Sequence, residues 1–295
     1  MAIGRKAATW FDGTWHDGNV PIMGSADHGL WLGTLVFDGA RQFDGVRPDL
    51  DLHCDRIVAS ARTMGMTPPV TSDEVHGLIE EGCRRFDRDE ALYLRPMMWS
   101  REGGPGVVEI DPDSTCFAIC IEAYPMPAVG QFSLTVSPYR RPMPDMALTT
   151  AKAASLYANN GRIIAEARSR GFSNALSLDV NDHVAETAST NVFMVRDHEI
   201  LTPVPNGMFL NGLTRQRIIK LLAENGTAVN ETTLTVEDFR GADEIFVTGN
   251  IGKVVPVTRF DDRDLNIGRT AMKVREMYWD FAHSLSGSGA GDLKS

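Results

Sequence analysis

Apolar residues recur along the chain in two rhythms. Within 49–64 (DLDLHCDRIVASARTM), Leu50, Ile57, Val58 and Ala61 fall at helical spacing and predict an amphipathic helix. Residues 72–86 read as a second helix, opened by Thr71 or Ser72 as N-cap with Glu74 close behind. The apolar, β-prone runs at 90–99 and 115–123 predict buried strands. Near the start, 9–13 and 18–21 read as a hairpin around the turn residues Asp12-Gly13 and Asp17-Gly18. The stretch 32–43 (LGTLVFDGARQF) is β-rich but interrupted by glycines.

Two prolines and a glycine punctuate 124–130 (YPMPAVG), the best linker in the chain. Beyond it, 132–136 alternates like a strand, and 149–170 forms a long helical pattern stopped by Gly171. A meander follows, with strands at 175–180, 183–187, 191–195 and 200–203 and turns at Asn181-Asp182 and Asp197-His198. Residues 213–225 read as a helix closed by Asn225-Gly226, 244–248 as a strand before the turn-forming Gly249-Asn250, and 269–284 as a last helix. Strands and helices mix without a strict βαβ rhythm and without an internal repeat. The expectation is α+β or irregular α/β: a small N-terminal α/β domain at 1–123, a linker at 124–130, and a larger mixed-sheet domain at 131–284. The Gly/Ser-rich tail at 285–295 is expected to be disordered.

Composition narrows the class. The chain has 295 residues, 43% hydrophobic and 23% charged, an ordinary globular balance. A net charge of -10 argues against nucleic acid and against an anionic membrane surface as partners. The N-terminus has early positive charges but no apolar run after them, so it does not read as a secretory signal, and no window is apolar enough to span a bilayer. Cys54, Cys83, Cys116 and Cys120 form no CxxC pair; they read as reduced packing residues, with no metal site and a cytoplasmic location as the default. No GxGxxG opens a helix after a strand, which argues against a Rossmann dinucleotide site.

Candidate chemistry starts at TTAKAASLYANNGR. Lys152 sits near the start of the predicted 149–170 helix, where a positive charge is disfavoured, and among small apolar residues, where a lysine pKa can fall. A free amine of that kind can attack a carbonyl. On the local sequence alone, a solvated surface lysine is the better reading. In LDVNDHVAETASTNVFMV, Glu186 lies between two strand patterns amid Ala185, Thr187, Ala188 and Ser189. A carboxylate there is either a capping or edge-strand residue, or the partner of a cationic ring such as a protonated pyridine.

The order and spacing of Lys152, Glu186 and Thr214 resemble the class IV, or fold-type IV, pyridoxal-phosphate enzymes. That family includes branched-chain amino acid aminotransferase, D-amino acid aminotransferase and aminodeoxychorismate lyase. The resemblance runs from FDGTW near the start to VTGNIGKVVPV near the end and is most specific in AKAASLYANN, LDVNDHVAETASTNVF and NGLTRQRII. It implies pyridoxal 5'-phosphate as cofactor. Lys152 would carry it covalently and shuttle the substrate proton. Glu186 would pair with the pyridine nitrogen and Tyr157 with the ring hydroxyl. Arg56 would hold the phosphate, together with Leu213 and Thr214 at a helix N-terminus. The turn Gly249-Asn250-Ile251 would touch phosphate and substrate carboxylate. The family usually has threonine or serine where Asn250 stands, so an amide N–H would replace a hydroxyl.

Substrate choice points to the branched-chain subgroup. VFDGARQFDG resembles its VFEGIR-type strand, with Phe37, Gly39 and Arg41 on the pattern, and ALYLRP resembles its tyrosine–aliphatic–arginine strand. The resemblance implies that Tyr93 binds the α-carboxylate, beside the backbone of Asn250 and Ile251. Arg95 would take the side-chain carboxylate of glutamate or 2-oxoglutarate. The implied reaction is a ping-pong amino transfer between a branched-chain L-amino acid and 2-oxoglutarate, in a homodimer or higher homo-oligomer. Leu32 stands where the subgroup usually has a tyrosine, as in its HYG segment. With Asn250, this keeps open an (R)-amine or D-amino acid transaminase, or a lyase of the aminodeoxychorismate type. A catalytically silent binding protein on the same fold is the reading from another class.

Overall fold

A computed structural model describes residues 6–285; residues 1–5, and 286–295 of the tail expected to be disordered, lie outside the described residues. The chain divides into two compact units. One runs up to Met126 and takes in Ala151–Ser155; the other is Pro127–Thr150 with Leu156–Ser284.

The first unit opens with a hairpin, β1 (Ala7–Phe11) and β2 (Thr14–Asp17). Asp12 and Gly13 have φ of 52° and 81°, the backbone that a two-residue hairpin turn requires. The second arm therefore follows Gly13 directly and does not lie at 18–21. There follow α1 (His28–Trp31), β3 (Leu35–Phe37), β4 (Ala40–Gln42), α2 (Leu50–Thr63), α3 (Ser72–Cys83), β5 (Leu92–Ser100) and β6 (Thr115–Ala123). Thr71 and Glu74 close a capping box on α3.

The strands form one antiparallel sheet in the order β2-β1-β6-β5-β3, with β4 also paired to β5. Period-two alternation gives the sheet two unlike faces. Val36, Leu94, Met98, Ile119 and Ile121 build the core with Ile57, Val58 and Ala61 of α2 and Val75 and Ile79 of α3. The registers place three further rows on the other face: the polar Arg41–Tyr93–Glu122 and Arg95–Cys120–Thr9, then the apolar Phe37–Met97–Ala118.

Asp38, fully buried between β3 and β4, ties this sheet to α2. Its carboxylate accepts from Arg56 Nε (2.6 Å) and Nη2 (2.8 Å), from His53 Nδ1 (2.6 Å) and from the Gly39 N–H (2.6 Å). Burial by itself would raise this carboxyl. The charges of Arg56 and His53 and their hydrogen bonds outweigh it and hold Asp38 well below the usual carboxylate range.

The pattern at 149–170 does not fold as one helix. A 3-10 turn, Ala154–Leu156, precedes α4 (Tyr157–Ser169). The Lys152 carbonyl accepts from the Phe37 N–H (3.1 Å), the Lys152 N–H donates to Ser60 Oγ (3.1 Å), and Ala153 bridges Val36. With both backbone groups of Lys152 taken from outside a helix, the segment joins the β3 edge, and tertiary pairing overrides local propensity.

The second unit begins with β7 (Ser133–Val136), then α4, β8 (Asn174–Leu178), β9 (Val184–Thr187), β10 (Asn191–Arg196) and β11 (Glu199–Pro203). Next come α5 (Leu213–Glu224), β12 (Val229–Thr232), α6 (Val236–Arg240), β13 (Glu244–Gly249), β14 (Lys253–Pro256), β15 (Arg259–Phe260), β16 (Arg263–Asp264) and α7 (Arg269–Ser284). They make two five-stranded sheets, β12-β11-β10-β13-β14 and β16-β15-β7-β8-β9. Leu134, Leu176, Val192, Met194, Ile245, Val247 and Phe260 share one core. Among the described residues, no helix is long and apolar enough to cross a membrane.

Three variants test this packing. In α3, a Cβ on Gly82 would run into the Trp15 ring and sit 2.7 Å from Ile121 Cδ1, whereas Gly77 has nothing within 4 Å. In urea unfolding, Gly82→Ala should lose about 1–3 kcal/mol to overpacking. Gly77→Ala should gain up to about 1 kcal/mol from helix propensity. Asp38→Asn should cost about 3 kcal/mol at pH 7, because it leaves the buried partners of a carboxylate uncompensated. A folded pKa below the unfolded value of about 4 means that the stabilisation is complete above that value and is lost as pH falls through the folded value. The stability gap between parent and Asp38→Asn should therefore narrow only in acid below about pH 4. A gap that stays constant through that range would refute the argument.

Candidate active site

In the first unit, the candidate residues gather around the β3 edge. The backbone bonds that join Lys152 to Phe37 and Ser60 place its Nζ over the Phe37 ring, 4.7 Å from the centroid. Lys152 thus stands before the 3-10 turn and α4, not within a helix as the sequence suggested, and its Nζ lies over an aromatic face. Arg56 lies one turn before Ser60 on α2, so both face the Lys152 segment. Asp38 holds the Nε–Nη2 edge of Arg56 and so fixes the plane of its guanidinium.

Tyr93 and Arg95 stand on the polar face of β5, beside the Phe37–Met97 row. Gly39 makes room for Tyr93, since a Cβ there would lie 2.8 Å from Tyr93 Cζ. The Arg95 guanidinium lies 4.9 Å from the Tyr93 ring centroid and donates to Glu122 Oε1 at 2.5 Å. Glu122 is 3% exposed and Arg95 31%. Burial opposes the Arg95 charge, but Tyr93 and Glu122 outweigh it and keep the guanidinium protonated. Cys120, its thiol pushed by burial up to about 11, also lies against Glu122. Arg41 is fully buried; its Nη2 donates to the Tyr124 carbonyl, and its Nε and Nη1 have no hydrogen-bond partner among the described residues. Burial lowers Arg41 to about 10, which still leaves it cationic at neutral pH.

In the second unit, Glu186 projects from β9, 7% exposed. Arg141 Nη2 lies 3.3 Å from Glu186 Oε1, and Asn191 Nδ2 lies 3.4 Å from Oε2. Arg141 also donates to Asn160 Oδ1 on α4 (2.9 Å), which lies three residues after Tyr157 and so on the same helix face. Asn191 is the hub. Its Nδ2 donates to the Leu210 carbonyl, its Oδ1 accepts from the Gly212 N–H, and its register partner on β13 is Thr248. Through it Glu186, the start of α5 and the end of β13 form one cluster.

This cluster has the donor set of an anion site. The twelve-residue α5 begins after Gly212 with no side-chain cap, so Leu213 and the buried Thr214 present helix N-terminal N–H groups. Thr248 Oγ1 and Asn250 Nδ2 are buried without a hydrogen-bond partner among the described residues. Such unmade bonds cost about 1–3 kcal/mol each, and a polar ligand would relieve them. Lys253 donates to Asn250 Oδ1 (2.9 Å); a lysine can only donate, so the amide must turn its N–H2 the other way. The asparagine that departs from the family pattern thus offers an N–H where a hydroxyl was expected. A phosphorylated ligand suits these residues. Among the described residues, no three or more His, Cys, Asp or Glu groups are placed to hold a metal ion.

Sequence reasoning missed Asp38, Glu122, Arg141 and Asn191. Each acts chiefly through a partner distant in the chain or across a strand, which the local sequence does not announce. Only Asn191, a polar residue opening an apolar strand, carries a faint signal.

Residues 35–260 match the model of the amino-transferase class IV family. The chain is 30% identical to the branched-chain-amino-acid aminotransferase of Pseudomonas aeruginosa, over 94% of this chain and 93% of that protein. The structure of an aminotransferase from Brucella abortus bound to PLP superimposes with a TM-score of 0.93 at 50% identity, covering 95% of this chain and 100% of that one. The Escherichia coli branched-chain aminotransferase structure gives a TM-score of 0.86 at 27% identity, over 94% and 95% of the two chains. The chain belongs to the class IV aminotransferases: it is a pyridoxal-phosphate-dependent aminotransferase with the fold-type IV fold.

Proposed function

We propose that this aminotransferase moves the amino group between a branched-chain L-amino acid and 2-oxoglutarate by a ping-pong mechanism. One observation carries the reading: the sheet face under Lys152 combines an apolar row, Phe37–Met97, with an adjoining row that bears Arg95. An aliphatic side chain suits the first row, and the distal carboxylate of a glutamate-type substrate suits the arginine.

In this reading Lys152 is the covalent anchor of the cofactor and the base that removes the substrate α-proton. Arg56, Leu213, Thr214 and Asn250 bind the phosphate. Tyr157 donates to or accepts from the ring hydroxyl, and Glu186 holds a proton at the ring nitrogen, itself oriented by Arg141 and Asn191. When bound, pyridoxal 5'-phosphate supplies the electron sink for the pair released at the α-carbon. Tyr93 and the backbone N–H groups of Asn250 and Ile251 bind the α-carboxylate, while Phe37 forms part of the apolar wall. The exposed apolar residues Leu30, Trp31 and Leu32 beside Val107 and Val108, segments joined by the bond between His28 Nε2 and the Val107 carbonyl, support a homodimer. The cytoplasm is the location that suits an enzyme of amino-acid metabolism with free cysteines.

A second reading on the same fold is an (R)-amine or D-amino acid transaminase, or an aminodeoxychorismate lyase-like enzyme. The ion pair between Arg95 and Glu122 favours it, because the arginine expected to receive glutamate already has a carboxylate.

Lys152→Ala should abolish amino transfer and the yellow colour of the holoenzyme. Borohydride treatment of the parent should leave the cofactor fixed to a peptide containing Lys152. Normal turnover in the variant would end the assignment. A donor panel separates the two readings: transfer from L-leucine is expected, whereas activity with D-alanine or (R)-1-phenylethylamine and none with L-leucine would replace the first reading by the second.

A further inference from the structure

Within the polar face of the first sheet, Glu122 stands out as the one carboxylate in the rows shared by Arg41, Tyr93 and Arg95. It is almost wholly buried, and its Oε1 receives both the Arg95 guanidinium and the Cys120 thiol. Arg95 keeps one side accessible, so it is pinned on its inner side and open on its outer side. Arg95 lies two residues from Met97, whose row carries Phe37 under Lys152 Nζ, about 7 Å along the strand.

We propose that Glu122 is a specificity-determining residue: it parks Arg95, so that a substrate with a second carboxylate binds only by competing with Glu122 for that guanidinium. The proposal rests on the placing of the substrate side chain near Arg95 in the reading above. With an aliphatic side chain bound, Arg95 stays on Glu122 and presents a neutral pair. With a dicarboxylate, Arg95 must leave or share Glu122. Sharing brings two like charges together, and leaving strands a buried carboxylate. Either way the intrinsic gain from the new ion pair is reduced, and discrimination shifts toward apolar substrates. Glu122→Gln retains the shape and an oxygen that accepts from Arg95, but removes the stranded charge.

The test is calorimetric binding of two acids to the holoenzyme: glutarate, which carries the second carboxylate, and 4-methylpentanoate, which has an aliphatic end. Glu122→Gln should lower the ratio of the glutarate Kd to the 4-methylpentanoate Kd by about tenfold. If that variant does not fold, Glu122→Asp, which retracts the charge by one methylene, should lower the ratio by a smaller factor. The effect must pass through Arg95. Arg95→Gln keeps a hydrogen-bond donor for Glu122, and in that background the addition of Glu122→Gln should leave the ratio unchanged. An unchanged ratio in the Glu122 variants overturns the proposal, as does a full tenfold fall that persists without Arg95. Failure of the branched-chain reading shows elsewhere, as no amino transfer from leucine, and leaves this ratio to be read independently.

Discussion

The position of Lys152 depends on a few backbone hydrogen bonds. The Phe37 N–H to the Lys152 carbonyl, the Lys152 N–H to Ser60, and the bridge between Ala153 and Val36 capture a short segment on the β3 edge. The lysine's neighbours in sequence favour a helix; its neighbours in space do not permit one. A lysine on the first turn of a helix would swing with a fraying end. A lysine with both backbone groups bonded to a strand and a buried helix has a fixed root, and only the four-carbon stem remains to move. Such a root suits a side chain that must alternate between anchoring a cofactor and handling a proton.

That fixed root depends in turn on Asp38. It follows Phe37 directly, and its carboxylate gathers Arg56, His53 and the Gly39 N–H. The same carboxylate thus fixes the bend between β3 and β4, the rotation of α2 and the orientation of Arg56. The two residues of α2 that look toward the Lys152 segment, Arg56 and Ser60, keep their register because the helix is bolted at one point to the strand that Lys152 pairs with. Burial works against this arrangement, and the two cationic partners are what make an ionised carboxylate tolerable there.

Much of the fold was legible in the sequence because its elements obey local rules. The helices at α2, α3, α5 and α7 follow apolar periodicity with capping or glycine signals, and the strands β5 and β6 match their apolar runs within two residues. The errors have physical causes. The hairpin arm at β2 was displaced because two Asp-Gly pairs compete as turns, and only the positive φ of Asp12 and Gly13 decides between them. Small elements such as β12, α6 and β14 lack the length that periodicity needs. In the candidate site, Lys152, Glu186 and Thr214 were visible from order and spacing. Arg141, Asn191, Asp38 and Glu122 were not, since a buried polar side chain is defined by its partner, and those partners lie across strands or far along the chain.

The charge pattern of the sheet face follows from the same geometry. The protein as a whole is acidic, with a net charge of -10, yet this face gathers Arg41, Arg95 and Lys152, with the carboxylate of Glu122 among them. An acidic surface with a local cationic recess still attracts small carboxylates at short range, because the Debye length of about 8 Å screens the more distant charges. Arg41 remains cationic although buried and without an acidic partner among its hydrogen bonds, held by the carbonyl and the ring face of Tyr124. Arg95 is the opposite case, since its neutralising carboxylate is built in. Two arginines two strand positions apart thus differ in what they can offer an anion. The difference arises from which one the β6 glutamate can reach, not from the arginines themselves.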